Sequence, residues 1–189
     1  MNLPDLRVRL QHNIVCTEDI DEHPSAIENL NSEFPHTIQL IEQTNPIRPR
    51  NCYEWALDLS SVLTQWVGEL RLPELFAGLR FVSTLIPDLK EIPESGVRNA
   101  DLVLYFDEQI PTHAGLATES RVISKWGKGH IYRHALLEVP SSYGNEIKFY
   151  RNIPGSVATT RFVKYVRTHP DYGAIEELFE EKFGHSYPR

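Results

Sequence analysis

ADLVLYFDEQIPTHAGLATESRVISKWG, residues 100–127, is the stretch that decides the fold. It contains three short runs of apolar, β-branched and aromatic residues, at 100–106, 112–117 and 121–127. The groups DEQIP and TES between these runs are typical of turns, and EIKFYR (146–151) makes a fourth run of the same kind. We therefore predict an antiparallel β-meander.

A helix is predicted to precede the meander and to begin at Cys52. Asn51 is a favoured N-cap residue, and Glu54 stands three positions later, which is the spacing of a capping box. The apolar residues of this segment share one stripe of a helix: Trp55, Leu59, Val62, Leu63 and Trp66. The order of helix, sheet and further helices predicts an α+β protein, with this first helix packed against the antiparallel sheet.

The chain of 189 residues is long enough for one substantial core, so we predict a single domain over 1–189. Residues 1–47, punctuated by prolines, are interpreted as an N-terminal preamble that packs on a catalytic core of residues 48–151. A C-terminal helical extension is predicted over 152–189, with two helices broken at His169-Pro170. Comparison of the chain with itself reveals no repeat of fixed period, which argues against solenoids and propellers.

The formal net charge of -7 argues against nucleic acid as a partner, because affinity for phosphates rests on clustered Lys and Arg. No segment reaches the roughly 18 apolar residues that a membrane span needs, and the N-terminus has no basic region followed by an apolar run. We expect a cytoplasmic protein without a membrane partner, although an effector exported without a signal would have the same features. Cys16 and Cys52 are expected to be free thiols.

Cys52 has two interpretations, a small residue in a core or a nucleophile. In the first turn of a helix it would face unpaired backbone N–H groups and the positive end of the helix dipole, which favour the thiolate. We therefore expect its pKa to be lowered. A lone cysteine is most often structural, so an enzyme requires a second group beside it.

His113 is the candidate for that second group, a base that would take the thiol proton. It opens the strand THAGLA, where it would lie at the end of the sheet and could point toward the helix terminus. Small residues at 114, 115 and 117 would let the helix approach closely. The alternative interpretation is a surface histidine at a strand edge.

A cysteine enzyme also needs a polar group that orients the imidazole. If residues 118–119 form a two-residue turn, strand pairing places Ser124 opposite His113, whereas a three-residue turn would place Lys125 there. Ser124 is the better orienter, because a cationic lysine cannot accept the imidazole N–H. His134 is the competing candidate for this third position.

These motifs resemble the NlpC/P60 superfamily of papain-like cysteine hydrolases. The resemblance rests on NCYEWAL, DLVLYF, THAGLA and RVISKWG, followed by a later histidine and VPSSYGNEIKFYR, over about residues 50–151. Its order of nucleophile at a helix start, histidine at a strand head and third polar residue on the next strand implies Cys52 as nucleophile, His113 as base and Ser124 as orienter. It also implies a papain-like fold, here with extra N- and C-terminal helices.

The predicted function is that of a thiol hydrolase that cleaves an amide, peptide or isopeptide bond through an acyl-enzyme intermediate. The backbone N–H of Cys52 would hold the oxyanion, and neither a metal nor an organic cofactor is required. Tyr53 and Trp126 are the candidate substrate-contacting residues, although Trp126 also fits a core aromatic. The alternative prediction is a binding or scaffold protein that keeps the papain-like fold without turnover.

Overall fold

The computed structural model describes residues 2–17, 19–44, 50–59, 77–170 and 172–187. The helices in these ranges are α1 Leu3–Leu10, α2 His23–Leu30, α3 Cys52–Ala56, α4 Leu79–Leu85, α5 Gly155–Arg167 and α6 Tyr172–Phe183. The strands are β1 Gln39–Glu42, β2 Glu91–Ile92, β3 Leu102–Asp107, β4 Ile110–Thr118, β5 Arg121–Lys125, β6 Ile131–His134 and β7 Glu146–Tyr150. The prediction of a chain that mixes helices with an antiparallel sheet is confirmed.

The described strands form one antiparallel sheet in the order β1-β6-β5-β4-β3-β7-β2. The meander runs from β3 to β6, and β6 was not predicted from the sequence. The fourth predicted strand, β7, does not follow β5 but returns to pair with β3 on its other side. β1, which lies in the predicted N-terminal preamble, pairs with β6 and so belongs to the sheet.

Apolar residues cover both faces of the sheet. On one face, residues of β3 such as Leu102 and Leu104 pack with α3, α4, α5 and α6, and we call this the C-terminal core. On the other face, Val103 and Tyr105 pack with α1 and α2, and we call this the N-terminal core. The apolar run of β3 is continuous because both of its faces are buried.

The helix that begins at Cys52 is shorter than the sequence predicts. Its N-terminus has the expected capping box, in which the Asn51 side chain accepts from the Glu54 N–H at 2.9 Å and the Glu54 carboxylate accepts from the Asn51 N–H at 2.9 Å. The helix ends at Ala56, because Asp58 adopts a left-handed backbone conformation with φ 47°. The predicted continuation through Leu59 is therefore wrong, and its later members (Val62, Leu63 and Trp66) lie outside the described residues.

The hairpin between β4 and β5 has a different register from the predicted one. Thr118 pairs with Arg121, so the two turn residues are at 119–120 and not at 118–119. Ser124 consequently lies opposite Gly115, and the prediction that it lies opposite His113 is wrong. Ser124 still shares a face of the sheet with His113, because side chains two positions apart on a strand point the same way.

The C-terminal region contains the two predicted helices, α5 and α6, on either side of His169-Pro170. None of the described helices is long and apolar enough to cross a membrane.

Arg7 of α1 is a buried cation that fixes the loop between β6 and β7. Its guanidinium donates to the backbone oxygens of Val139 and Gly144 and to the Asn145 side chain. We expect Arg7→Met to lower the free energy of unfolding by about 2–4 kcal/mol, because it leaves these buried acceptors without a donor. Urea unfolding would measure this, and a loss below about 0.5 kcal/mol would show that the loop holds itself in place.

Candidate functional site

Cys52 and His113 line the same cavity, which has a volume of about 390 Å³. It lies at the N-terminus of α3 beside the first half of β4, and Thr112, Tyr143 and Lys128 are among its other lining residues. The structure therefore brings the candidate nucleophile and the candidate base to one site.

The pairing of β4 with β5 ends one step short of this cavity. Gly115 and Ser124 form the last pair, so Ala114 has no partner on β5 and its backbone N–H is free to act on the Cys52 thiol. The N–H groups of Tyr53 and of Cys52 itself act in the same sense, and all three favour the thiolate. The N-terminus of α3 and the side of β4 that lacks a β5 partner thus supply several N–H donors around the Cys52 sulfur.

The effect of burial on the pKa of Cys52 is larger than the effect of these N–H donors. Burial raises the pKa of Cys52 to about 11, and the nearby charge of Glu54 acts in the same direction. The sequence-based expectation of a lowered pKa is therefore wrong for the structure. The five-residue helix α3 has only a small dipole. The Cys52 side chain also packs against the C-terminal core, where a thiolate is poorly solvated.

This raised pKa predicts how the thiol reacts with iodoacetamide. The rate of alkylation at Cys52 should keep rising with pH up to about 11, because only the thiolate is the nucleophile. At pH 7 the exposed Cys16 should react faster than Cys52. Mass spectrometry of the two labelled peptides measures both rates, and a Cys52 rate that levels off below pH 8 would contradict the raised pKa.

His113 is buried, and its ring is held between two tyrosines. It stacks on Tyr143 with ring centroids 3.8 Å apart and contacts Tyr105 at 5.4 Å. Its Nε2 is buried without a hydrogen-bond partner. Burial, and after it the proximity of His134, lower the pKa of His113 well below its ordinary value of 6.5. The imidazole is therefore neutral at pH 7, which is the form that can accept a proton.

The two residues approach the cavity from opposite faces of the sheet. The Cys52 side chain packs with the C-terminal core, whereas the ring partners of His113, Tyr105 and Tyr143, belong to the N-terminal core. Cys52 and His113 are both described by the structure and both line the cavity, but no hydrogen bond joins the Cys52 thiol to the His113 ring. At pH 7 the pair is a neutral thiol and a neutral imidazole, not an ion pair.

Ser124 and His134, the two candidates for the third position, bind each other and not His113. The Ser124 hydroxyl lies 2.8 Å from His134 Nε2 and accepts from the Trp126 indole N–H at 2.9 Å. His134 Nδ1 lies 2.9 Å from the Ala135 oxygen, so Nδ1 carries the proton and Nε2 accepts from Ser124. Burial lowers the pKa of His134 to about 4. Neither residue orients His113 through a hydrogen bond.

The two candidate substrate-contacting residues are both buried. Trp126 is fully buried against Tyr132 and His134 and does not line the cavity, so it takes the role of a core aromatic. Tyr53 is 6 % exposed, and its hydroxyl donates to the Pro111 oxygen at 2.7 Å, which fastens α3 to the start of β4. Neither side chain is therefore placed to contact a substrate in the cavity.

Lys125, which the sequence analysis considered only as the alternative to Ser124 opposite His113, is a buried amine near Cys52. It ends β5, it is 2 % exposed, and its Nζ donates to the Gly129 oxygen. Burial lowers its pKa to about 8, and the nearby Cys52 and Glu54 oppose this shift. Because Lys125 is adjacent to Ser124 on the strand, it points to the face of the C-terminal core, the same face as Cys52.

Tyr143 was missed by sequence reasoning. It lies in a short turn, Ser141–Tyr143, and reaches His113 only because the loop after β6 folds back over the sheet. Its one local signal is Gly144, whose φ of 87° marks a sharp turn directly after it.

In the part of the chain that the structure describes, no group of three or more His, Cys, Asp or Glu side chains is placed to hold a metal ion. Comparisons of the chain with protein-family models, with curated proteins and with solved structures find no significant match.

Proposed function

We propose that Cys52 and His113 form the catalytic pair of a thiol hydrolase that acts on an amide, peptide or isopeptide bond. The observation that carries the proposal is the cavity that both residues line. A thiol at a helix start, free backbone N–H groups beside it and a neutral imidazole across the cavity are the parts that acyl transfer by a cysteine requires.

In the proposed reaction, His113 takes the proton from the Cys52 thiol as sulfur attacks the carbonyl carbon. The oxyanion of the tetrahedral intermediate would accept from the backbone N–H of Cys52 and from that of Ala114, which has no partner on β5. His113 would then give its proton to the leaving amine. Water would hydrolyse the resulting thioester, releasing the acid and restoring the thiol.

The pair we propose is a dyad, with the imidazole oriented by packing. Tyr143 and Tyr105 hold the His113 ring, a role that the sequence-based hypothesis assigned to Ser124 or His134. We also propose that the fold is papain-like and of the NlpC/P60 type. This proposal is supported by α3, which starts at Cys52 and packs on an antiparallel sheet whose strand β4 carries His113.

The proposal is tested by incubating the protein with a set of N-acetylated peptide amides and following cleavage by mass spectrometry. Wild type and Cys16→Ala should cleave the same substrate at the same rate, because Cys16 is exposed and does not line the cavity. Cys52→Ala should be inactive. Equal cleavage by Cys52→Ala would remove Cys52 from the mechanism.

The pH dependence of this activity follows from His113. Its lowered pKa means that the base form persists as the pH falls below 6.5, so kcat/KM should stay level there and drop only at much lower pH. A pH–rate profile measures this. A drop centred at 6.5 would indicate an imidazole exposed to water, in conflict with the buried ring.

The second candidate function is a binding protein that keeps the fold without turnover. The raised pKa of Cys52 and the absence of a hydrogen bond between its thiol and the His113 ring favour it. Under this alternative, Cys52→Ala would bind the partner as tightly as wild type, and no peptide amide would be cleaved by either protein.

A further inference from the structure

A second groove lies on the same face of the sheet as Cys52, and it contains two arginines. Its volume is about 670 Å³, and Trp55 of α3 and Leu116 of β4 are among its apolar lining residues. Arg121 and Arg133 also line it, from neighbouring strands β5 and β6.

The strand register places both arginines on one face. Ile123 pairs directly with Arg133, and Arg121 is two positions from Ile123, so the three side chains point the same way. The two arginines are therefore diagonal neighbours, within about 7–8 Å between their backbones. That distance allows one anion to contact both guanidinium groups.

The Arg133 side chain makes no hydrogen bond or ion pair with any residue that the structure describes, and its Nε is buried without a partner. A buried N–H of a cation is costly to leave without an acceptor. Arg121 uses one nitrogen, Nη1, on the Thr37 oxygen at 2.8 Å and keeps its other donors. Among the described lining residues of the groove, Glu119 alone carries a negative charge.

We propose that this groove binds a carboxylate of the substrate, with Arg133 as its main partner and Arg121 as the second. The proposal rests on the proposed function, since it names the class of substrate that the Cys52 site would cleave. Trp55 stands three residues after Cys52 on α3, so the groove begins less than one helical turn from the nucleophile.

The apolar lining of the groove favours a substrate that has an apolar side chain next to its carboxylate. Trp55, Leu116 and Ile123 offer a surface for an aliphatic side chain beside the two guanidinium groups. A peptide with an acidic residue next to an apolar one has both features. The carboxylate could be a side chain or a chain terminus, because both present the same two oxygens to a guanidinium fork.

Binding to the Cys52→Ala protein tests the proposal, because that variant cannot form an acyl-enzyme. Calorimetric titration would compare N-acetyl-Leu-Glu-amide with N-acetyl-Leu-Gln-amide, and N-acetyl-Gly-Leu with its C-terminal amide. We expect the carboxylate form of at least one pair to bind at least about tenfold more tightly than its amide. Which pair shows the preference identifies a side-chain or a terminal carboxylate.

Substitutions in the groove then test which side chains cause the preference for the carboxylate. Arg133→Gln should abolish the preference for the carboxylate, and Arg121→Gln should reduce it, while Glu119→Gln should strengthen it by removing a like charge. Arg80→Gln is the matched control, because Arg80 is exposed on α4, away from the groove lining, and the substitution changes the net charge equally. Circular dichroism would confirm that each variant is folded.

Equal binding of both members of each pair, no binding of any peptide, or an unchanged preference in Arg133→Gln would each overturn the proposal. These results are independent of catalysis. Conversely, equal cleavage by wild type of the carboxylate and amide members of both pairs would overturn the carboxylate site and leave the thiol hydrolase standing.

Discussion

Replacing His113 with alanine is expected to lower kcat/KM for the acyl donor p-nitrophenyl acetate by about 10²-fold or more. The reason lies in the thiol. With a pKa of about 11, Cys52 is a thiolate in only about one molecule in 10⁴ at pH 7, so attack depends on a base that removes the proton during the reaction. Release of p-nitrophenolate measures the rate.

The control for this variant is His12→Ala, which removes an exposed histidine from the segment after α1. It should leave kcat/KM unchanged. A His113→Ala protein that is folded and retains at least half of the wild-type rate would show that another group takes the proton, and Lys125 would then be the next residue to test, since it is buried near Cys52.

Gly144→Ala is expected to lower the free energy of unfolding by about 2–5 kcal/mol. Gly144 has a φ of 87°, and a Cβ at this position would lie 2.1 Å from the Phe106 oxygen, which is backbone of β3 and cannot move aside cheaply. The same loop positions Tyr143 over the His113 ring, so the variant should also lose activity. Urea unfolding measures the stability change.

Two other glycines separate the causes of this effect. Gly184 also has a positive φ, 70°, but open space around its Cβ position, so Gly184→Ala should cost only about 1 kcal/mol of backbone strain. Gly173 has open space in α6 and no positive φ, so Gly173→Ala should stabilise the protein by about 0.5–1 kcal/mol. If Gly144→Ala costs no more than Gly184→Ala, the predicted collision with β3 does not occur.

The central strands were predictable because their apolar runs are long enough to be buried on both faces. The first five residues of β3 read LVLYF and are all buried, which agrees with their position between two cores. β1 and β2 carry no such signal. β1 is four exposed residues and β2 is a two-residue strand at the sheet edge, and both are strands only because a neighbouring strand offers free backbone groups.

The register of the β4–β5 hairpin could not be fixed from the sequence. Thr118, Glu119 and Ser120 all suit a turn, and moving the two-residue turn by one position shifts every cross-strand pair by two. The face of the sheet to which Ser124 points was predicted correctly, because a shift of two positions keeps the alternation of side chains. The cross-strand partner of Ser124 was predicted wrongly. Ser124 instead binds His134 and Trp126, which no local pattern could indicate.

The pKa values of the cavity residues depend on tertiary packing, so they could not be predicted from the sequence. A cysteine after a capping asparagine predicts a helix start correctly, and the capping box of Asn51 and Glu54 is present. The pKa of that cysteine depends on how much water remains around it. The C-terminal core beneath Cys52 is built largely from α4, α5 and α6, which are far from it in the sequence.

The proposed mechanism requires Cys52 and His113 to act together across one cavity. Its most direct test is the intact mass of the protein, and of its peptides, sampled within seconds of mixing with p-nitrophenyl acetate at pH 7. We expect one acetyl group on Cys52 in wild type, formed together with a burst of p-nitrophenolate, and at least about 10²-fold slower acetylation of Cys52 in His113→Ala. Acetylation of Cys52 at the same rate in both proteins, or an acetyl group found only on other residues, would contradict it.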